Sequence, residues 1–241
     1  MVEFKFDLSR RDRIGLDEAV FCAGKSVEQI ASIIEGVRSE VSGLLLTRLD
    51  ADKFARLPPE QQNQLDYDSV SHTAILGSLR EMDEGPPVAI VMAGTSDVPM
   101  GREASRTLIF NGQLHQEFTD IGVAGLWRLL ERLEELRQAP VVIVAAGMDA
   151  ALISVLGGLI PGVVIGLPTS VGYGVAAGGT TALHAGLASC APGVPIMNID
   201  NGYGAACAAL RIMNMIRRNS RATPESGAAT DATLVRPGSC P

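Results

Sequence analysis

From residue 88 onward, short apolar runs alternate with helical patterns, and that alternation restricts the fold more than any other feature. The runs at 88–93, 141–146, 163–167 and 194–199 are rich in β-branched residues and bounded by Gly, Pro or polar residues; a weaker one lies at 116–121. Continuous apolarity of this length suits strands covered on both faces, as in a parallel sheet. Helical patterns fill the gaps, at 100–110, 124–137, 150–159, 180–189 and 203–216. In the second, Leu126, Leu129, Leu130, Leu133 and Leu136 fall on one side. Consecutive βα units predict an α/β fold, a doubly wound three-layer αβα sandwich with a mainly parallel sheet of about five strands. A hydrophobic content of 46%, with 26 glycines and only 4% aromatic residues, suits such tightly layered packing.

The first 85 residues read differently. Charged residues are frequent there, and two helices are expected, at 26–41 with Ser26 as cap and at 59–65, around a short strand at 43–46. Residues 67–79 fit a helix or an extended stretch equally well. The run 80–87 mixes charge with Gly and two prolines, as linkers do. The expected organisation is a small α+β N-terminal domain over 1–85 and a catalytic α/β domain over 86–218. The tail 219–241, rich in Ser, Ala, Thr, Gly and Pro, is expected to be disordered.

At 241 residues the chain can bury a substantial core. A net charge of −7 argues against non-specific nucleic-acid binding, because no phosphate-neutralising excess is present. The four cysteines, Cys22, Cys190, Cys207 and Cys240, show no CxxC pairing, and no signal peptide is evident; both favour a reduced, cytoplasmic setting. The longest apolar stretch, 140–171, is interrupted by glycines, prolines and Asp149, so no membrane span is expected. His72, His115 and His184 have no mutual spacing suited to zinc. Cys22 and Cys207 sit in apolar segments and read as core.

Each strong run ends in small or polar residues, and these carry the chemistry. The first leads into Gly94, Thr95, Ser96 and Asp97, where hydroxyls and free amides at a helix start could hold a phosphate. Asp97 taken alone reads first as a helix cap. The 141–146 run gives Gly147, Met148 and Asp149. The 163–167 run gives Pro168, Thr169, Ser170, Val171 and Gly172, then further glycines, which suits a loop wrapped on a ligand or a plain mobile loop. The last run is preceded by Cys190 and followed by Asp200, Asn201 and Gly202, so thiolate, carboxylate and turn are expected to meet at the carboxyl edge of the sheet, where open α/β domains bind ligands. No GxGxxG or GK[ST] follows the first strand, which excludes the dinucleotide fingerprint and the Walker loop.

Taken in order, AGTSD (93–97), DIGVAGL (120–126), AAGMDAAL (145–152), GLPTSVGYG (166–174), ASCAPG (188–193) and NIDNGYGA (198–205) resemble the nickel-pincer cofactor biosynthesis carboxylases, the LarB family. The resemblance spans most of 4–217. The catalytic half is similar in turn to the PurE-like aminoimidazole ribonucleotide carboxylases, whose loops correspond to 94–97, 146–148 and 166–168.

The resemblance implies carboxylation of C5 on the pyridinium ring of nicotinic acid adenine dinucleotide, with carbon dioxide or bicarbonate as co-substrate. Cleavage of the phosphoanhydride would then yield pyridinium-3,5-dicarboxylate mononucleotide and AMP. A pyridinium ring is too electron-poor to attack carbon dioxide; adding a thiolate makes it enamine-like. Cys190 matches the family's nucleophile. Asp149 matches a position where the family more often has glutamate, as base or as part of the carbon dioxide site, and is one methylene shorter. By the same implication Ser96 and Asp97 position ribose and phosphate, with Gly94, Thr95, Asp120, Gly147 and Met148 around them. Thr169, Ser170 and Gly172 border the ring, and Asp200 and Asn201 complete the edge. Magnesium on the pyrophosphate is expected from the family, without a visible ligand set, and so is a homo-oligomer, tetramer or octamer.

The N-terminal segment departs from the family's pattern but retains Arg10, Arg13, Glu18 and Lys25. Arg13 or Lys25 would either reach an anionic group of the substrate or remain solvated. These departures suggest a divergent paralogue acting on a related pyridine nucleotide. Two readings compete. An aminoimidazole ribonucleotide carboxylase would need a histidine after the second strand, where this chain has Thr119, Asp120, Ile121 and Gly122. A non-catalytic regulatory protein would have no use for an activated thiol.

Overall fold

The computed structural model describes residues 4–221. Near the N-terminus, β1 (Ala19–Phe21), β2 (Gly43–Thr47), β3 (Leu65–Asp68) and β4 (Thr73–Gly77) form a four-stranded mixed sheet in the order β1-β2-β4-β3. Between them lie α1 (Arg10–Ile14), α2 (Val27–Val37), α3 (Ala51–Arg56) and α4 (Pro59–Gln62), α1 preceding β1. Ser26 caps α2 in a reciprocal capping box with Gln29, as expected, although the helix stops at Val37 rather than at 41. The helix expected over 59–65 ends at Gln62, because Leu65 begins a strand. The undecided stretch 67–79 falls largely in the antiparallel β3–β4 pair.

The second sheet is entirely parallel: β5 (Val88–Met92), β6 (His115–Thr119), β7 (Val141–Ala146) and β8 (Val163–Pro168), in the order β6-β5-β7-β8. Alternate strand residues face opposite layers. On one side Val91, Val142, Val144 and Val164 pack against α6 (Leu126–Leu136), α7 (Ala151–Leu159) and α8 (Thr180–Leu187). On the other, Ile90, Met92, Ile143 and Leu167 pack against α5 (Val98–Phe110) and α9 (Gly202–Arg221). This is the predicted αβα layering.

Two details differ from the sequence reading. The run 194–199 is not a strand: it touches the sheet through a single parallel bridge, Ile196 to Gly166, flanked by two backbone bonds at 2.9 and 2.8 Å. Prolines at 192 and 195 remove the amides that a longer ladder needs. Residues 219–221, assigned to a disordered tail, belong to α9; the rest of that tail lies outside the described residues.

The two sheets meet through side chains. Leu45 and Ile75 pack on Phe110 at the end of α5, with Tyr203 of α9 beside them. Arg106 on α5 donates to the Asp66 carboxylate at 2.6 Å, and Arg217 on α9 pairs with Asp83 at 3.0 Å. No helix among the described residues is long and apolar enough to cross a membrane.

Candidate active site

Because β5 is flanked by β6 on one side and β7 on the other, the chain reverses direction across the sheet between β5 and β7. In open α/β sheets the crevice outside the carboxyl ends at such a point receives the ligand. Gly94–Asp97 follow β5 and Gly147–Asp149 follow β7, so these candidates meet at that crevice.

Asp97 ties this rim together. One carboxylate oxygen accepts the Thr169 hydroxyl at 2.6 Å, the other accepts the Gly94 amide at 2.8 Å, and the Gly147 amide also donates to it. Burial pushes the Asp97 pKa upward against these donors, which pull it down. Asp97 occupies the cap position of α5 but makes no side-chain cap bond there, so the capping reading is replaced by one in which three strand ends are tied together. Thr95 and Ser96 stand exposed on the short turn before it.

Beyond β7, a Cβ on Gly147 would run into Val171 O and the Thr169 hydroxyl, so only glycine lets the 147 and 171 segments approach. Met148 donates its amide to Val171 O at 2.8 Å. Asp149 is exposed, and its carboxylate accepts the Ala151 amide at 3.2 Å at the start of α7. Asp200 accepts the Ser170 amide at 2.7 Å, while Asn201 accepts the Gly204 amide at 2.8 Å. Asp120, after β6, is paired with Arg128 at 2.5 Å. Asp120 (φ 59), Met148 (φ 57), Ala150 (φ 49) and Asp200 (φ 57) all have left-handed backbone. Each costs energy that ordinary loops avoid, and such residues concentrate at working sites.

Cys190 stands elsewhere. Residues 194–200 run parallel to β8, with Ile196 opposite Gly166, so Asp200 reaches the carboxyl end and Cys190 precedes the amino end. Its neighbour Ala191 packs at Gly157, in the last turns of α7 and about 9 Å along the helix axis from Ala151. Ser189 bonds Ser154 at 2.8 Å. The expectation that thiol and Asp200 meet at one edge is therefore corrected within a single chain, because a residue just before a parallel segment lies at its entry, not at its exit. Cys190 is nonetheless exposed, whereas Cys22 is buried, and burial pushes its pKa up to about 12. Cys207 is partly covered and also raised by burial.

The N-terminal candidates are not brought to the rim. Arg13 forks onto Asp7 at 2.9 and 2.6 Å, and Lys25 lines a separate cleft with Phe4, Glu28 and Gln29. The residue of that unit that does arrive is Arg48, which the sequence reading missed. It lines a cleft of about 400 Å³ with Phe21, Glu103, Asn198, Asn201 and Tyr203. Glu103 had a legible signal: it is a carboxylate on the buried face of α5, one turn before Thr107.

Among the described residues no group of three or more His, Cys, Asp or Glu side chains could hold a metal ion. The Asp97 oxygens are already bonded within the protein, so these residues do not fit a protein-held magnesium.

Residues 2–78 match the LarB/PurE-like N-terminal domain, and residues 87–228 match the AIR carboxylase model, more than half of the chain. The chain belongs to the LarB family. Its second half is the PurE-like carboxylase domain of that family, in keeping with the parallel sheet and its two helical layers. This LarB-family chain is 34% identical to an uncharacterized protein of Methanocaldococcus jannaschii over 208 residues, 83% of this chain and 80% of that one. The crystal structure of a Treponema denticola PurE2 variant aligns with a TM-score of 0.38 at 18% identity, covering 56% of this chain and 92% of its own.

Proposed function

We propose that this LarB-family protein carboxylates C5 of the pyridinium ring of nicotinic acid adenine dinucleotide and cleaves its phosphoanhydride, giving pyridinium-3,5-dicarboxylate mononucleotide and AMP. The observation that carries this reading is Cys190, an exposed free thiol in the ASCAPG motif, while Cys22 is buried and Cys207 partly covered. A nucleophilic thiol must be accessible; a structural one need not be.

The thiolate adds to the ring, and the electron pair displaced through nitrogen makes C5 nucleophilic. C5 then bonds to carbon dioxide, Asp149 takes the C5 proton, and expulsion of the thiolate restores the aromatic ring. Water attack on the phosphoanhydride separates the two monophosphates. Exposed hydroxyls of Thr95 and Ser96, with the Gly94 turn, support a role in holding the phosphate. The tie through Asp97 keeps that turn in register with Gly147 and Thr169.

Cys190 precedes the segment that enters the rim, and its neighbours Ser189 and Ala191 sit on α7 at Ser154 and Gly157, so we infer that the thiol that reaches a given rim comes from a second copy. The functional unit is then an oligomer with shared sites. Mixing Cys190→Ala chains with Asp149→Asn chains tests this: each alone is inactive, and co-assembled chains regain activity at the sites that pair an intact thiol with an intact carboxylate. Failure to regain any activity in mixed assemblies would count against shared sites. Intact mass after incubation with the dinucleotide tests the chemistry itself: wild type carries an adduct that Cys190→Ala lacks, and an equal adduct on both would remove Cys190 as nucleophile.

The match to the AIR carboxylase model favours one second reading, carboxylation of aminoimidazole ribonucleotide. No histidine follows β6, where Asp120 is instead fixed by Arg128. Turnover of that ribonucleotide, unaffected by Cys190→Ala, would establish this alternative.

A further inference from the structure

Arg48 stands one residue beyond β2, in the N-terminal sheet, with left-handed backbone (φ 55). Its guanidinium reaches out of that unit in two directions. Nε donates to Glu103 Oε1 on α5 at 3.1 Å, and a terminal nitrogen donates to the Asp200 carbonyl. Glu103 is only 3% exposed, and its second oxygen accepts the Gly202 amide at 3.0 Å, where α9 begins. Asp200 in turn holds the Ser170 amide with its own carboxylate. One side chain from the first sheet thus supports a chain of bonds that ends in the glycine-rich loop after β8.

The arrangement needs an arginine. A buried carboxylate without a charged partner is costly, and Arg48 supplies that partner for Glu103. The planar fork lets one nitrogen serve Glu103 while another serves the Asp200 carbonyl; a lysine, a point charge on a flexible stem, has no such geometry. Left-handed backbone at Asp200 persists only where its surroundings hold it there, and Arg48 is the support that comes from outside the α/β unit.

We propose that Arg48 is a positioning residue: it fixes the turn at 198–202 and, through Asp200, the 170–179 loop in the geometry with which the rim holds its substrate. The kinetic consequence rests on the carboxylase reading, whereas the structural consequence does not.

The test uses the full chain in its assembled form. Arg48→Gly removes the side chain while accepting the left-handed backbone without strain, and Arg48→Lys keeps the charge without the fork. Glu103→Gln serves if Arg48→Gly fails to fold, and it should loosen the same segments. Amide hydrogen exchange in Arg48→Gly should speed up about tenfold at 170–179 and 198–202 while the strands 88–92 and 141–146 keep their protection. KM for nicotinic acid adenine dinucleotide should rise about tenfold with a smaller change in kcat, and Arg48→Lys should recover little of either. Unchanged exchange in the two segments overturns the proposal. So does acceleration spread evenly over the strands, which would mean a general folding role, and so does faster local exchange with KM unmoved. A wild-type protein that does not turn over the dinucleotide would defeat the carboxylase reading, while the exchange pattern still decides the part played by Arg48.

Discussion

Asp97 and Asp149 are both carboxylates at the rim, yet their surroundings give them different work. Asp97 is buried and bonded to donors from the ends of β5, β7 and β8, so replacing it chiefly loosens the rim. Asp97→Asn swaps an acceptor for a donor facing either the Thr169 hydroxyl or a backbone amide. The expected loss is about 1–3 kcal/mol of stability in urea unfolding, from a hydrogen-bonding group left without a partner. Asp149 is exposed and accepts only the Ala151 amide, so Asp149→Asn should leave the melting temperature nearly unchanged. Under the carboxylase reading that variant still binds dinucleotide but loses kcat by about 10²- to 10⁴-fold, the ordinary worth of a positioned base. Steady-state rates beside a calorimetric Kd separate these two effects, and a wild-type kcat would remove Asp149 from the proton transfer.

Among the elements, α2 is the plainest case of local sequence deciding structure. Its capping box joins Ser26 and Gln29 at 3.2 and 3.0 Å, so Ser26→Ala should cost about 1 kcal/mol in thermal or urea unfolding. At the start of β6, His115 bonds the Ser105 hydroxyl at 2.8 Å, and burial lowers its pKa below the usual 6.5. The unfolded chain then takes up the proton first, so stability falls as pH drops below about 6.5 and on towards the lowered folded value. His115→Gln should flatten that part of a stability–pH curve; an unchanged slope would show that other groups set it. The runs at 88–93 and 141–146 were readable as strands because both faces are covered and every position is apolar. The run at 194–199 is as apolar at Val194, Ile196, Met197 and Ile199 but carries Pro195 and Asn198, and the proline was the local sign that a full ladder would not form. The stripe on α6 was read too wide. Leu129, Leu133 and Leu136 are buried, whereas Leu126 and Leu130 flank that face and stay exposed. The β3–β4 pair stayed undecided because its cover comes partly from Phe110, far along the chain.

At the largest scale, the two sheets pack against each other at that same contact. Phe110 is 4% exposed between Leu45 and Ile75, and Phe110→Ala should cost about 3–5 kcal/mol. The single tryptophan, Trp127, reports only on α6, whereas far-ultraviolet circular dichroism reports on both sheets. In the wild type the two signals should change together in urea. In Phe110→Ala the dichroism should begin to fall before the fluorescence, and coincident curves would show that other contacts suffice to couple the sheets. Much of the candidate rim was legible, since the motifs at 94–97, 147–149 and 169–172 follow β5, β7 and β8 by simple alternation. Arg48 was not, because its bonds to Glu103 and Asp200 join residues 55 and 152 positions apart, and no local pattern announces such a pairing. Cys190 is an exposed thiol but precedes the amino end of β8 rather than meeting Asp200 at its carboxyl end, because sequence order is not nearness. That placement has a consequence for how the protein would be handled at the bench. Under the shared-site proposal turnover is a collective property: diluting the sample until assemblies come apart should silence every chain, folded or not, and concentrating it should bring the rate back.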